Sequence, residues 1–161
     1  MEAVIEIAEL SDYERERGKP MPSLNHSILQ GNLVFTLKLN YRKQFTFLPE
    51  INLIMPHRPN AVPDIAIYPK LAIDFLHDQT AMTQFPITAI EIVSSSQSND
   101  DILDKFERYF LAGVQSCWLV MPSMKAIAVY SGIGRYTFFT DADTLTDSAT
   151  SIELPLAEVF V

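Results

Sequence analysis

The stretch that decides the fold reads Ile87-Thr88-Ala89-Ile90-Glu91-Ile92-Val93. Its β-branched and apolar residues run almost without interruption, which predicts a strand buried on both faces of a sheet. Residues 94–99 supply N-cap candidates, and residues 99–111 carry apolar side chains on one side and end before Gly113, which predicts a helix. Another strand is predicted at 116–120. The order strand, helix, strand predicts a parallel crossover.

Outside this unit, the sequence pattern changes from helical spacing near the start to short extended segments further along. Ser11 and Glu14 form a capping-box pattern, which predicts a short helix ending at Gly18. Apolar residues at mainly helical spacing predict a long helix over 23–39. Further strands are predicted at 45–48, 51–55, 64–68, 126–131 and 136–140, and the polar residues 141–151 are given no element. These elements predict an α/β or α+β fold with a mixed β-sheet flanked by helices.

Length, composition and charge narrow the class of protein. The 161 residues, with 48% hydrophobic and 20% charged side chains, predict one globular domain, 1–161. Twelve Lys and Arg against 20 Asp and Glu give a net charge of −8, which excludes a basic, histone-like nucleic-acid binder. Any contact with nucleic acid therefore needs a local patch. The basic cluster Lys38, Arg42 and Lys43 is a candidate, and a dimer could join two copies of 38–43 into a groove.

Cysteine usage and the start of the chain predict a cytoplasmic location. Cys117 is the single cysteine and cannot form an internal disulfide, and without Cys-x-x-Cys pairs the three histidines give no structural zinc signature. The chain starts with an acid at Glu2 where a signal peptide needs basic residues, and no apolar stretch approaches the length of a membrane span. We therefore expect a soluble cytoplasmic protein without membrane contact.

Two carboxylates interrupt otherwise apolar strands. Glu91 is the one charge in 87–93, and Asp64 follows Pro63 at the start of 64–68. A buried charge without a partner is costly. If the two strands pair, their acids share one face at one end of the sheet, where mutual repulsion favours a divalent cation between them. The alternative is a pair of strand-end acids that accept hydrogen bonds from backbone amides.

Lys105, in the helix that follows Glu91, is the candidate cation for this pair. In the helix 99–111 it follows Ile102 by three residues and precedes Tyr109 by four, which places it on the half-buried side. A lysine there could handle a water molecule or a phosphate. The alternative is a lysine whose stem covers the helix flank.

These residues resemble a bacterial domain-of-unknown-function family grouped with restriction endonucleases, within the PD-(D/E)xK nuclease superfamily. In that family Pro-Asp opens one strand, Glu-Val ends the next, a serine loop and a helix with Asp and Lys follow, and Tyr-Trp-Leu-Val-Asp-Pro comes after them. The matching residues are Pro63-Asp64, Glu91-Ile92-Val93, Ser94-Ser95-Ser96, Asp101, Lys105, Tyr109, Gly113-Val114 and Cys117-Trp118-Leu119-Val120-Met121-Pro122, with Tyr13-Glu14, Gly18, Ser23 and His26 upstream. The resemblance covers about 13–131.

The resemblance implies a restriction endonuclease-like core that hydrolyses DNA phosphodiester bonds with Mg²⁺, or with Mn²⁺ in its place. Asp64, Glu91 and the backbone carbonyl of Ile92 would hold the ion, whose chemistry would be to polarise the phosphate and acidify a water. Val93 stands where the superfamily usually has its lysine, so Lys105 would be that lysine moved to the helix.

The same resemblance assigns Lys105 and Glu14 catalytic roles. Lys105 would orient or deprotonate the water, or neutralise charge on the phosphate. Glu14 would be an additional carboxylate from the first helix, unless it is only a capping residue, and His26 would at most contact a phosphate. Met121 replaces the family's acid and the serine loop lacks its proline, departures that affect specificity and packing more than the metal ligands.

Two other functions remain open at this stage. A catalytically inactive member of the same fold could bind nucleic acid or a protein, and the net charge of −8 is its main support because nonspecific DNA affinity comes largely from phosphate neutralisation. A hydrolase of smaller phosphate esters could use the same metal site.

Overall fold

The computed structural model describes residues 11–56, 58–94 and 97–161. Residues 1–10, which carry the argument about the start of the chain, and Ser95 and Ser96 of the serine loop lie outside this range. The elements are α1 Asp12–Arg17, α2 Leu24–Tyr41, β1 Phe45–Pro49, β2 Ile65–Pro69, β3 Thr88–Ile92, α3 Asn99–Leu111, β4 Ser116–Met121, β5 Ala126–Gly132, β6 Arg135–Thr140, β7 Thr144–Asp147 and β8 Ile152–Pro155, with 3-10 turns at Pro122–Met124 and Leu156–Glu158.

A six-stranded mixed sheet in the order β1-β2-β3-β4-β5-β6 forms the centre of the α+β fold. Its strands pair antiparallel except β3 and β4, which run parallel. Helix α3 makes the connection between that parallel pair. The predicted crossover and the predicted mixed sheet flanked by helices are therefore confirmed.

Both faces of the sheet are covered, which explains the apolar run in β3. Ile90 and Ile92 belong to the core shared with α2 and the β7–β8 hairpin. Ala89 belongs to the opposite core, under α3, and Glu91 alternates with Ile90 and Ile92 and so faces the same way as Ala89. The strand thus brings one carboxylate into the α3 side of the interior.

The predicted helix ends agree with the structure. Ser11 Oγ accepts a hydrogen bond from the Glu14 N–H at 3.2 Å, and α1 ends at Gly18, whose positive φ of 66° suits glycine. Ser98 and Asp101 form a full capping box at the start of α3. These local signals depend on near neighbours alone, so the sequence carries them in full.

Two predictions about strands are wrong. Residues 51–55 form no strand; only Leu53 makes isolated bridges, to Ala61 and Met82. The segment is apolar because Leu53 and Met55 are buried under the α3 face, while the prolines that follow prevent a continuous ladder. Conversely, the polar region 141–151 contains β7 and leads into β8, which the sequence analysis missed because one of the two buried residues of β7 is the polar Asp147, which hides the alternation.

Within the described part of the chain, none of the helices combines the length and apolarity that crossing a bilayer requires. The cytoplasmic location and the division of the chain into one domain stay predictions.

Candidate active site

The fold brings Asp64 and Glu91 together. Strands β2 and β3 pair in a register that matches Ile65 with Ile90, so the next step places Asp64 opposite Glu91 on the α3 face. Both are almost fully buried, with 1% and 2% of their surface exposed. The two strands therefore pair, and their acids lie on the same face of the sheet, as expected.

Asp64 accepts three hydrogen bonds at its side chain. Its Oδ1 accepts from Lys19 Nζ at 2.6 Å and lies 3.0 Å from His26 Nε2, and its Oδ2 accepts from the Ile92 N–H at 2.7 Å. Burial alone raises the pKa of Asp64, but the hydrogen bond from His26 and the charge of Lys19 outweigh burial and lower that pKa. Asp64 is therefore held as a carboxylate.

Glu91 lies in a different environment. Its Oε1 accepts a hydrogen bond from the Tyr109 hydroxyl at 2.8 Å. Burial and the neighbouring charge of Asp64 raise the pKa of Glu91 to about 7, against the opposing effects of Lys105, Lys19 and Tyr109. Two adjacent acids thus have pKa values shifted in opposite directions, a pattern found at catalytic sites.

Lys105 is half-buried on α3, one helical turn before Tyr109. Its positive charge lowers the pKa of Glu91. It makes no ion pair within 4.0 Å among the described side chains. Lys105 does not line the pocket over the two acids, and its ammonium is not committed to either of them.

Lys19 is the site residue that the sequence analysis missed. It follows α1, and its Nζ also donates to the Val62 carbonyl at 3.0 Å and lies 3.6 Å from Glu50 Oε1. Burial lowers the pKa of Lys19, but the charges of Asp64 and Glu91 outweigh it and raise the pKa above its usual value. A lysine between Gly18 and Pro20 belongs to no periodic pattern, so only its position before the prolines could have drawn attention to it.

His26 has a different position from the one expected. It was expected at most to contact phosphate, but it is buried in the first turn of α2 and its Nε2 faces Asp64. Because an ionised carboxylate only accepts, Nε2 is the donor. The other ring nitrogen, Nδ1, is buried without a hydrogen-bond partner in the described structure.

Glu14 does not join the two acids. Its backbone N–H donates to Ser11 Oγ, a contact that does not involve its carboxylate, and it lies outside the lining of the pocket over Asp64. The acid that does approach from this side is Glu50, which accepts from the Tyr13 hydroxyl at 2.9 Å and faces Lys19. Tyr13, not Glu14, connects α1 to the site.

A small pocket, with room for about one water molecule, lies over the carboxylates and is bounded by segment 19–22 and Gln97. Among residues 11–56, 58–94 and 97–161, no three His, Cys, Asp or Glu side chains form a group that could hold a metal ion. The proposed donors are only Asp64, Glu91 and a backbone carbonyl. Two carboxylates and a carbonyl suit Mg²⁺, but the pocket must open before the ion can keep the several waters that it normally retains.

The basic cluster lies away from this pocket. His26 is in the first turn of α2, and Lys38 follows 12 residues later in the last turn, about 18 Å along the helix axis. Lys70 joins the cluster, because its Nζ donates to the Arg42 carbonyl at 2.6 Å. A nucleic acid that contacts both regions must therefore extend along α2. The homodimer stays a prediction.

Comparison with known proteins gives a matching family and a similar solved structure. The Uma2 family model, described as "Putative restriction endonuclease", matches residues 4–157. The chain is similar to a solved structure from Anabaena variabilis ATCC 29413, described as "a putative nuclease belonging to DUF820", with a TM-score of 0.72 and 21% identity over 88% of this chain and 83% of that one. At that identity the similarity shows the fold.

The other comparisons add nothing to the function. A chain of a DrdV–DNA complex gives a TM-score of 0.46 and 11% identity, over 92% of this chain and 12% of that one, too low a similarity to support an argument. No curated protein matches the chain significantly.

Proposed function

The chain belongs to the Uma2 family, described as putative restriction endonucleases, and from this membership we propose that it is a metal-dependent DNA endonuclease. The observation that carries the proposal is the opposed pair Asp64 and Glu91, which are buried at the end of two strands, with the charge of Lys105 acting on Glu91. Two carboxylates with a lysine are the groups that metal-assisted phosphodiester hydrolysis needs.

Each residue has a role in this proposal that follows from its contacts. Asp64, Glu91 and the Ile92 carbonyl would hold Mg²⁺ or Mn²⁺, which when bound supplies Lewis-acid activation of phosphate and water. Tyr109 keeps the Glu91 carboxylate in a fixed orientation through its 2.8 Å hydrogen bond. Lys105, which has no ion pair among the described residues, is available to neutralise charge on the phosphate.

A catalytically inactive nucleic-acid or protein-binding member is the second candidate. The contacts at Asp64 favour it, because Lys19, His26 and the Ile92 amide already satisfy that carboxylate without a metal. The net charge of −8 also favours this candidate, because DNA binding must overcome an overall electrostatic repulsion. Metal binding and turnover separate the two candidates.

The test is cleavage of plasmid and oligonucleotide DNA with Mg²⁺ or Mn²⁺, at low salt, by the wild type and by Asp64→Asn and Glu91→Gln. We expect both variants to lose metal-dependent cleavage while their circular dichroism stays that of the wild type. Glu107→Gln is the matched control, because Glu107 is an exposed acid on α3 and its variant should cleave normally. Cleavage that persists in both site variants contradicts the proposal, and DNA binding without turnover in the wild type favours the second candidate.

A further inference from the structure

Lys19 is held as tightly as the acid it pairs with. Only 6% of its side-chain surface is exposed, although it lies outside every helix and strand. Its ammonium has three protons, and three acceptors surround it: Asp64 Oδ1 at 2.6 Å, the Val62 carbonyl at 3.0 Å and Glu50 Oε1 at 3.6 Å. A lysine held in this way serves as a fixed positive charge inside the pocket.

This charge occupies one of the two oxygen atoms through which Asp64 could bind a metal ion. A carboxylate offers about four lone-pair positions, two on each oxygen. Lys19 and His26 take both positions on Asp64 Oδ1, and the Ile92 N–H takes one on Oδ2. An ion that binds through Oδ1, or through both oxygens, must therefore displace the ammonium or the His26 N–H, and the ammonium repels the ion through its positive charge.

The segment that carries Lys19 also bounds the pocket. Residues 19–22 line the pocket together with Asp64 and Glu91. Pro20 and Pro22 have no N–H, and the segment adopts neither helix nor strand between α1 and α2. Movement of Lys19 off Asp64 thus breaks few backbone hydrogen bonds.

We propose that Lys19 is an internal cation that occupies the metal position on Asp64 and must be displaced before a divalent ion binds there. This inference rests on the proposed function, since it concerns the same metal site. The ammonium stabilises the metal-free protein, where Asp64 is buried, and it sets a threshold of metal concentration below which the site stays closed. Lys19 is a positioning residue for Asp64.

Lys105 provides the matched control for charge. Its positive charge acts on Glu91, but it makes no ion pair with Asp64 within 4.0 Å. Lys105→Met therefore removes one positive charge from the site without uncovering Asp64 Oδ1. Lys19→Met removes the same charge and uncovers that oxygen, so the difference between the two variants measures displacement.

The experiment is calorimetric titration of the wild type, Lys19→Met and Lys105→Met with Mn²⁺ and with Mg²⁺. We expect Lys19→Met to bind at least about ten-fold more tightly than Lys105→Met, a coupling of ordinary size between two competing ligands. Binding by Lys19→Met where the wild type shows none also supports the proposal. Equal or weaker binding by Lys19→Met overturns it and leaves the metal site itself intact. If no variant binds either ion, both this inference and the proposed metal site are wrong.

A second measurement uses the wild type and needs no variant to fold. Lysine acetylation by a water-soluble reagent, read by mass spectrometry, reports which ammonium groups are accessible. We expect Lys19 to be protected without metal and to react several-fold faster with saturating Mn²⁺, while exposed Lys38 reacts equally in both conditions. Protection of Lys19 that is unchanged by saturating metal overturns the proposal.

Discussion

The hydroxyl of Tyr109 donates a 2.8 Å hydrogen bond to Oε1 of Glu91, and the two residues expose only 1% and 2% of their surface. The bond links α3 to β3 across the interior. Because it is formed with the charged carboxylate, it opposes the burial that raises the pKa of Glu91 to about 7. The helix thereby helps to set the ionisation of an acid on the neighbouring strand.

Tyr109→Phe removes this hydrogen bond, so we expect the pKa of Glu91 to rise further. The acidic limb of the pH–rate profile for cleavage should move to higher pH by up to about one unit. The measurement is the pH dependence of kcat/KM. Tyr68→Phe is the matched control, because it also loses a buried hydrogen bond, to the Gln84 carbonyl at 2.7 Å, but at a distance from the acids. If the acidic limb lay at the same pH in the wild type and in Tyr109→Phe, the hydrogen bond would have no effect on the pKa of Glu91.

Glu91→Gln should change how stability depends on pH in the metal-free protein. Glu91 has a pKa raised from 4.5 to about 7 in the folded state, so its contribution to stability is complete below pH 4.5 and is lost as pH rises through 7. The amide that replaces the carboxyl group cannot ionise, so the variant does not have this loss. The free energy of unfolding of the variant should therefore exceed that of the wild type at pH 8 by on the order of 1–3 kcal/mol, with little difference near pH 4.5.

Urea unfolding in the presence of EDTA at pH 5 and at pH 8 measures this difference. A free-energy gap between Glu91→Gln and the wild type that is the same at both pH values would show that Glu91 ionises with an ordinary pKa. Glu107→Gln, at the exposed acid of α3, should show no gap at either pH.

Lys105→Met should reduce cleavage without unfolding the protein. The side chain is half-buried and makes no ion pair within 4.0 Å in the described structure, so its loss leaves no buried charge unpaired. Single-turnover rates should fall by about 10²-fold, the usual cost of removing one group that stabilises transition-state charge. Lys105→Arg should recover part of the rate through its charge. A rate for Lys105→Met within two- or three-fold of wild type would assign the lysine to the helix flank.

Asp147→Ala should destabilise the fold and leave metal binding unchanged. Asp147 Oδ2 accepts from Ser116 Oγ and from Trp118 Nε1, both at 2.7 Å, and Oδ1 accepts from the Ala149 N–H at 2.9 Å. Alanine leaves buried donors unpaired, so we expect a loss of roughly 3 kcal/mol in the free energy of unfolding. Denaturant unfolding measures the loss, and calorimetry with Mn²⁺ is the control. A loss below about 1 kcal/mol would mean that water replaces the carboxylate.

The helices and most strands of the sheet could be predicted from sequence because their signals are local. The Ser98–Asp101 capping box marks the start of α3, and the unbroken apolar run marks β3. The strand predicted around Leu53 is wrong because apolar residues can be buried in a core without pairing in a β-sheet. The β7–β8 hairpin was missed because one of the two buried residues of β7 is the polar Asp147, which hides the alternation.

The candidate site was only partly predictable. Asp64 and Glu91 stand out because a carboxylate in an apolar strand is costly, and Lys105 stands out through helical spacing and the family resemblance. Lys19 and Glu50 carry no comparable signal, since both lie between regular elements and reach the site through tertiary contacts. Glu14, by contrast, matched a pattern but remains outside the pocket.

The sequence by itself determined that two acids interrupt apolar strands and that β3, α3 and β4 would form a parallel crossover, because hydrophobicity and periodicity are properties of contiguous residues. The tertiary structure alone decided how each acid is charged. Lys19 and His26 contact Asp64 from distant parts of the chain and lower its pKa. Glu91 accepts a hydrogen bond from Tyr109, but its burial and the charge of Asp64 raise its pKa. Electrostatic interactions depend on distances in space and on exclusion of water, and neither is written in the order of residues.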